Sequence, residues 1–359
     1  MASTKLPHIN DYGCYEIRLE SIGGLGANLS GKILGELSIE LGLNCSSFSS
    51  YGSEKRGSPV KAFIRYADQD TPIRINSPVT SPHLLGLFHE RMAGKLPVMA
   101  GVGEYTTVVV NTAQSPQVMR DTLQMHIGTL VCIDALSIAA EIGTRVNMVM
   151  LGALAKSAGF IPLEALEQTV RDTIGGRYPQ SLAQNLEGIR HGYEAALTNV
   201  LQVEPDGKYP PQEYREPQSE WGYRNAPIGG IIPIPGSTVS NDLTASRQDY
   251  IPVFKRESCI HCGLCDTTCP DMVFQFSRGE YKSKSHAINN GPDYHHCKGC
   301  LRCCEICPTD ALTVGNEREH DITKTHVRNA DLIVKHMQFE DAGTNSYMES
   351  ESATVNETY

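Results

Sequence analysis

The sequence predicts two unlike folded units: an α/β domain with a mainly parallel sheet over residues 1–203, and a small α+β module over residues 251–316. Three observations predict this. From Tyr15 to about Leu201, short β-rich runs alternate with helical ones, the pattern of a sheet covered by helices. Between Pro205 and Pro252 that periodicity gives way to prolines set among glycines and tyrosines, so residues 204–250 read as an extended linker laid over a protein surface. Beyond it, eight of the twelve cysteines fall into two copies of one spacing.

In order, Glu16 to Ile22 reads as the first strand, and Gly23-Gly24-Leu25-Gly26 hands it to a helix running to about Leu41. Strands follow at Asn44 to Ser49, Val60 to Tyr66, Thr106 to Asn111 and Leu130 to Asp134. Helices are expected at Ser137 to Glu141, Asn147 to Ala158, Leu163 to Ile174 and Ser181 to Leu201, with Pro162 just before the third, where a helix can begin. In the second unit, Val273 to Phe276 and Glu280 to Ser283 read as a hairpin turning at Arg278-Gly279. Residues 317–359 form a polar tail, disordered or carrying one helix that lies on a partner.

The cysteine copies are Cys259-x-x-Cys262-x-x-Cys265-x-x-x-Cys269-Pro270 and Cys297-x-x-Cys300-x-x-Cys303-x-x-x-Cys307-Pro308. This resembles the bacterial ferredoxin run for two [4Fe–4S] clusters, which makes the module ferredoxin-like and its chemistry one-electron transfer. Three thiolates at two-residue separations wrap one cubane, while the fourth, three residues on and followed by proline, points to its neighbour. The expected ligand sets are Cys259, Cys262, Cys265 and Cys307 for cluster I, and Cys297, Cys300, Cys303 and Cys269 for cluster II. A disulfide framework suits short secreted chains, and zinc sites use two separated C-x-x-C pairs, so neither accounts for eight cysteines with two Cys-Pro ends. Cys304 reads as a packing thiol. Ile260, Leu264, Val273, Ile306 and Leu312 are expected to bury the clusters, and backbone N–H groups of both loops to bond their sulfurs. Lys298 and Arg302 predict the higher potential for cluster II, while His295 and His296 are expected at the surface.

Formal charge is −10 with no Lys/Arg block, so the electrostatic footprint of nucleic-acid binding is absent. The N-terminus lacks an apolar signal core, and the longest apolar stretch, Val146 to Leu163, is broken by Lys156, Ser157 and Pro162. A cytoplasmic protein with no membrane span is expected.

The glycine turn after the first strand has several readings. Free backbone N–H groups at a helix N-terminus attract anions. The dinucleotide fingerprint fails at Leu29, and Glu54 sits in a loop context, so nicotinamide binding is poorly supported. Gly26-x-x-x-x-Gly31-Lys32 mimics a P-loop, but Ile33 replaces the magnesium-holding hydroxyl. The glycines either close the turn and let the helix pack tightly or hold a phosphate-bearing ligand.

Together, Gly23-Gly24-Leu25-Gly26, Ser50 to Gly57, Asp134-Ala135, Asn147 and Leu151-Gly152-Ala153 resemble the gamma subunit of 2-oxoacid:ferredoxin oxidoreductases of the pyruvate synthase type, over roughly residues 15–200. Asp249-Tyr250-Ile251-Pro252 and His296-Cys297-Lys298-Gly299-Cys300 resemble the ferredoxin-like delta subunit. The chain looks like a gamma–delta fusion. The resemblance implies thiamine pyrophosphate and magnesium on a partner subunit, other partners carrying the substrate, and single electrons passing through this chain to ferredoxin or a similar acceptor. It assigns no catalytic residue here. It implies coenzyme A as acyl acceptor, with Gly24, Gly26, Asn28 and Lys32 near its phosphates and Tyr51 and Arg56 in a loop reaching the partner's active site. Two other readings compete: a free-standing iron–sulfur module that senses redox state, and an NAD-linked reductase, which the broken fingerprint disfavours.

Overall fold

The computed structural model describes residues 4–51, 58–215, 229, 243–247 and 250–320. The chain divides into two compact units, Met1–Ser219 and Glu220–Tyr359.

The first unit runs β1 (Cys14–Ile22), α1 (Ala27–Leu41), β2 (Leu43–Tyr51), β3 (Pro59–Asp68), β4 (Leu84–Leu87), β5 (Thr107–Asn111), α2 (Pro116–Leu123), β6 (Gly128–Ile133), α3 (Ala135–Ile142), α4 (Val146–Ala158), α5 (Leu163–Val170), α6 (Leu182–Ala195) and β7 (Val200–Val203). The sheet order is β2-β3-β1-β4-β5-β6-β7. Pairing is parallel for β1/β4, β4/β5 and β5/β6, and antiparallel for β1/β3, β2/β3 and β6/β7. Hence β1, β2, β4, β5 and β6 run one way while β3 and β7 run the other, and the sheet is mainly parallel.

Its two faces differ. On one, Ile17 and Leu19 of β1 pack on Ile33, Leu34 and Leu37 of α1 and on Val149 and Leu151 of α4. The apolar spacing of α1 is that of a helix lying on a sheet. On the other, Leu85, Val108, Val110 and Leu130 are covered by Met119 and Leu123 of α2 and by Met92, Val98 and Met99. Alternation puts the polar residues of β1 on this second face too, yet they are buried. Glu16 pairs with Arg65 at 2.6 Å, and Glu20 lies 3.2 Å from both Arg18 and Lys61. The Arg18 guanidinium donates to the carbonyls of Val79, Thr80, Val98 and Ala100, and that of Arg65 to Ser77 and Pro78. Two arginines thus strap irregular chain over the β1 and β3 part of this face, while α2 packs against β6 and β7; with buried backbone carbonyls satisfied, the charges are tolerable there.

Two helical expectations need adjustment, and two elements went unforeseen. The helix expected over Ser181 to Leu201 ends at Ala195, and Val200–Val203 pairs antiparallel with β6, because an open sheet edge and a β-branched alternating run outweigh helical continuation. Helix α5 stops at Val170 and continues as a π-helical turn, Arg171–Gly175. The strand β4 and the helix α2 were not expected at all. Residues 204–215 run along the surface of this unit, where Asp206 pairs with Arg120 at 2.6 Å, Lys208 with Asp121 at 2.7 Å, and Gly101 N–H donates to the Gln212 carbonyl at 2.7 Å. The remainder of the proposed linker, except residues 229, 243–247 and 250, and the tail beyond 320 lie outside the described residues.

The second unit contains β8 (Tyr250–Phe254), α7 (Leu264–Thr268), β9 (Phe274–Tyr281), β10 (Lys284–Pro292), α8 (Arg302–Ile306) and β11 (Leu312–Asn316). β8 pairs with β11 and β9 with β10, all antiparallel. The hairpin turns at Lys282-Ser283, not at Arg278-Gly279. Both turn residues have positive φ, 50° and 61°, as a two-residue mirror-image turn requires. Gly279 lies in the ladder opposite His286, where a Cβ would stand 2.6 Å from Ile288 Cγ1. Among the described residues no helix is long and apolar enough to cross a membrane.

Candidate metal centres

The two cysteine runs are offset by 38 positions (297 − 259), and their backbones repeat at that offset. His261 and Gly299 have φ of 55° and 68°, Gly263 and Leu301 76° and 62°, Met272 and Asp310 49° and 52°. Left-handed backbone at a non-glycine residue is costly, so its recurrence at His261, Leu301, Met272 and Asp310 marks a conformation imposed by the loop's task and not by residue preference. After each second left-handed residue a five-residue helix, α7 or α8, carries the third cysteine, and the fourth follows in extended conformation as its C-cap.

This trace sorts the thiols. Cys259, Cys262, Cys265 and Cys307 line one pocket, with Asn289 and Leu312. Cys269, Cys297, Cys300 and Cys303 line a second, with Asp271, Val273 and Lys298. In each set, three thiols come from one run and one from the other. Among the described residues no three His, Cys, Asp or Glu side chains stand close enough to hold a single metal ion. Four soft thiol donors around a void fit a polyatomic iron–sulfur cluster.

Donors point at the sulfurs from matching places. His261 N–H lies 3.4 Å from Cys259 Sγ, and Gly299 N–H 3.4 Å from Cys297 Sγ. In the first set alone, Asn289 Nδ2 donates to Cys265 Sγ at 3.2 Å. Burial pushes the Cys265 and Cys297 thiols up to about 12. The folded protein therefore disfavours bare thiolates at these positions, and ligation supplies the positive charge that makes deprotonation favourable. Cys304 lines neither cavity and packs against the module's core.

The surroundings depart from expectation. Val273 and Leu312 are buried, but Ile260, Leu264 and Ile306 are 39%, 42% and 44% exposed and form a surface rim instead of a lid. Lys298 is not an uncompensated charge, because its Nζ lies 3.3 Å from Asp271 Oδ1 beside the same cavity. His296 is buried, with Nε2 4.0 Å from Asp293 Oδ2. Cys262 and Cys300, the second cysteine of each run, are the exposed members.

In the first unit, Gly24 and Gly26 have φ of 113° and 87°, and Gly26 begins α1 without a side-chain cap. Asn28 sits in the first turn, its Oδ1 accepting from Ser49 Oγ at 3.1 Å. Lys32 is exposed further along the helix, and Tyr51 is exposed at the end of β2. The structure thus gathers Gly24, Gly26 and Asn28 at the helix start, with Lys32 one turn further along α1, and among the described residues Lys32 and Tyr51 form no hydrogen bond or ion pair with them. Arg56 lies outside the described residues. Sequence reasoning passed over Asn147 as a site residue. It is 1% exposed, its Nδ2 has no hydrogen-bond partner, and a Cβ at Gly26 would lie 2.7 Å from its Cγ. Its place in the second helical position after Arg145 carries no signal of this contact.

Comparison with known proteins matches the two units separately. Residues 16–195 match the family described as pyruvate ferredoxin/flavodoxin oxidoreductase, and residues 251–308 match the 4Fe-4S dicluster domain. The "pyruvate/ketoisovalerate oxidoreductases common subunit gamma" of Thermococcus litoralis is 33% identical over 188 residues, covering 52% of this chain and 99% of the relative. The gamma subunit of the NADH-dependent phenylglyoxylate dehydrogenase of Aromatoleum evansii is 30% identical over 189 residues, covering 52% and 96%. The crystal structure of the pyruvate oxidoreductase subunit PORC of Thermotoga maritima aligns at 28% identity and a TM-score of 0.45, covering 53% of this chain and 98% of that one. The chain belongs to the pyruvate ferredoxin/flavodoxin oxidoreductase family, as a gamma-type domain followed in the same polypeptide by a 4Fe-4S dicluster domain.

Proposed function

We propose that this chain is the electron-exit subunit of a 2-oxoacid oxidoreductase whose thiamine pyrophosphate and magnesium reside on a partner subunit. The observation that carries the reading is the sorting of eight cysteines into two four-thiol cavities behind a domain of this family. When bound, two [4Fe–4S] clusters each accept and release one electron, so the pair left by decarboxylation of a 2-oxoacid departs in single steps. The chain's own residues hold and tune. Cys259, Cys262, Cys265 and Cys307 would ligate cluster I, and Cys297, Cys300, Cys303 and Cys269 cluster II. The N–H groups of His261 and Gly299 and the Asn289 amide stabilise negative charge on sulfur, while exposure of Cys262 and Cys300 brings each ligand set to the surface for exchange with ferredoxin or a similar acceptor.

Coenzyme A is the proposed acyl acceptor. Two left-handed glycines leave the first N–H groups of α1 unencumbered, and the buried Asn147 amide beside Gly26 has a donor to spare. Gly24, Gly26, Asn28 and Lys32 are assigned to its phosphates, and Tyr51 and Arg56 to the approach to the partner's active site. A cytoplasmic location suits twelve cysteines of which none is in a disulfide.

The test is anaerobic affinity purification of the chain from its native cell, with identification of co-purifying polypeptides and assay of thiamine pyrophosphate. Thiamine-bearing partners in constant ratio are expected. A lone, cluster-loaded chain without thiamine would overturn the reading and favour a free-standing redox-responsive module.

A further inference from the structure

Behind the second cysteine run lies Arg247, 1% exposed and the only buried arginine of its unit among the described residues. Its Nη1 donates to the carbonyl of Cys297 at 2.8 Å and to that of Tyr294, and its Nη2 meets Glu317 Oε1 at 2.6 Å. The Nε–H is buried without an acceptor. A Cβ at Gly299 would stand 3.2 Å from Arg247 Cγ, so the loop whose N–H faces Cys297 Sγ rests on the arginine's stem.

The first run is backed differently. His261, which corresponds to Gly299, takes a hydrogen bond on Nδ1 from Asn289 N–H at 3.1 Å, sets its ring edge-on to Tyr281, and meets His286 Nε2 through its carbonyl at 3.1 Å. One site leans on the hairpin, the other on a buried cation and its carboxylate.

We propose that Arg247 is a positioning residue that sets the reduction potential of the cluster held by Cys297, Cys300, Cys303 and Cys269, with Glu317 as the counter-charge that limits its effect. The inference rests on the cluster assignment above. A reduced cluster carries one more negative charge than an oxidised one, and a fixed cation in a poorly screened interior favours the reduced form. Burying an arginine–glutamate pair is costly and adds little stability over apolar packing, which leaves electrostatics and loop placement as what this pair provides.

The test is an EPR-monitored redox titration of the full chain, purified anaerobically with its clusters, in wild type, Arg247→Gln, Arg247→Lys, Glu317→Gln and Cys300→Ser. Arg247→Gln should move one of the two reduction steps to more negative potential and Glu317→Gln should move the same step the other way, at unchanged iron and sulfide content. Arg247→Lys should restore most of the wild-type value, and the step that moves should be the one Cys300→Ser alters. Disruption of the loop alone would shift both variants in one direction, and that result, or no shift at all, would overturn the proposal. Should Arg247→Gln fail to load iron, Glu317→Gln decides by itself: a positive shift of one step supports the role and an unmoved step rejects it. A wild-type chain that holds no iron would instead sink the functional reading beneath it.

Discussion

The two cysteine runs share spacing and backbone conformation but not surroundings. Ile260 and Leu264 of the first run stand where the second run has Lys298 and Arg302; the two apolar residues line the first cavity and Lys298 lines the second. Asn289 reaches a ligand sulfur only in the first, and a buried arginine backs only the second. The repeat shows what holding a cluster demands: four thiols, left-handed residues at fixed places and a proline after the fourth cysteine. The differences show where the chain is free to make one centre unlike the other.

The largest effect should come from the crosswise ligation. Cys307→Ser belongs in sequence to the second run, yet it should remove the same cluster as Cys259→Ser, leaving about half the iron and matching EPR spectra; Cys269→Ser should match Cys297→Ser. If Cys307→Ser instead resembled Cys297→Ser, the sorting of thiols described above would be wrong.

Backbone strain separates the runs next. Gly263 has open space where a Cβ would sit, so Gly263→Ala should cost only the left-handed penalty of ~1 kcal/mol. At Gly299 the same Cβ would lie 2.6 Å from the Tyr250 carbonyl oxygen, and Gly299→Ala should cost ~3 kcal/mol, read from the denaturant midpoint of cluster bleaching. Equal midpoints would mean that the loop around Gly299 yields freely.

Asn289→Ala removes one hydrogen bond to a ligand sulfur and should lower the potential of the first cluster alone, by up to ~59 mV for a tenfold change in a one-electron equilibrium. A shift in both steps would dissolve the distinction between the sites. The smallest effect is expected from Asp271→Asn, which removes one carboxylate charge beside the second cavity and should raise that potential slightly, less so at high salt. In the other unit, the proposed coenzyme A site predicts that Lys32→Ala raises the KM for coenzyme A without changing iron content.

Much of this was legible because it depends on local chemistry. Cysteine spacing partitions the thiols, and β-rich runs locate β1, β2, β3, β5 and β6 to within a few residues. The failures arose where distant chain decides the outcome. β4 is only four residues long, and β7 needs the exposed edge of β6 to become a strand. The α2 start was in plain view as Ser115 before Pro116, where the serine side chain accepts from Val118 N–H, but the segment's mixed polarity hid it. The hairpin turn at Lys282-Ser283 has no glycine, whereas Gly279, two positions upstream of that strand's end, draws the eye. Nothing local in β1 or β3 tells that their polar residues are buried; that follows from Arg18 and Arg65 gripping the carbonyls of distant chain. At the metal centres, Arg247 lies in a stretch that reads as linker, and nothing local ties it to Cys297, fifty positions on.

The exchange of the fourth cysteine also bears on the order in which the protein is made. Synthesis delivers Cys259 first, but the cavity it begins is not closed until Cys307 has followed, and the second cavity needs Cys269 from the earlier run. Neither centre can therefore be completed on a nascent chain that stops between the runs, and a polypeptide cut at the hairpin would separate partners from both. On the proposed ligation, iron delivery waits for a nearly finished module, and the two centres are products of one assembly event and not of two.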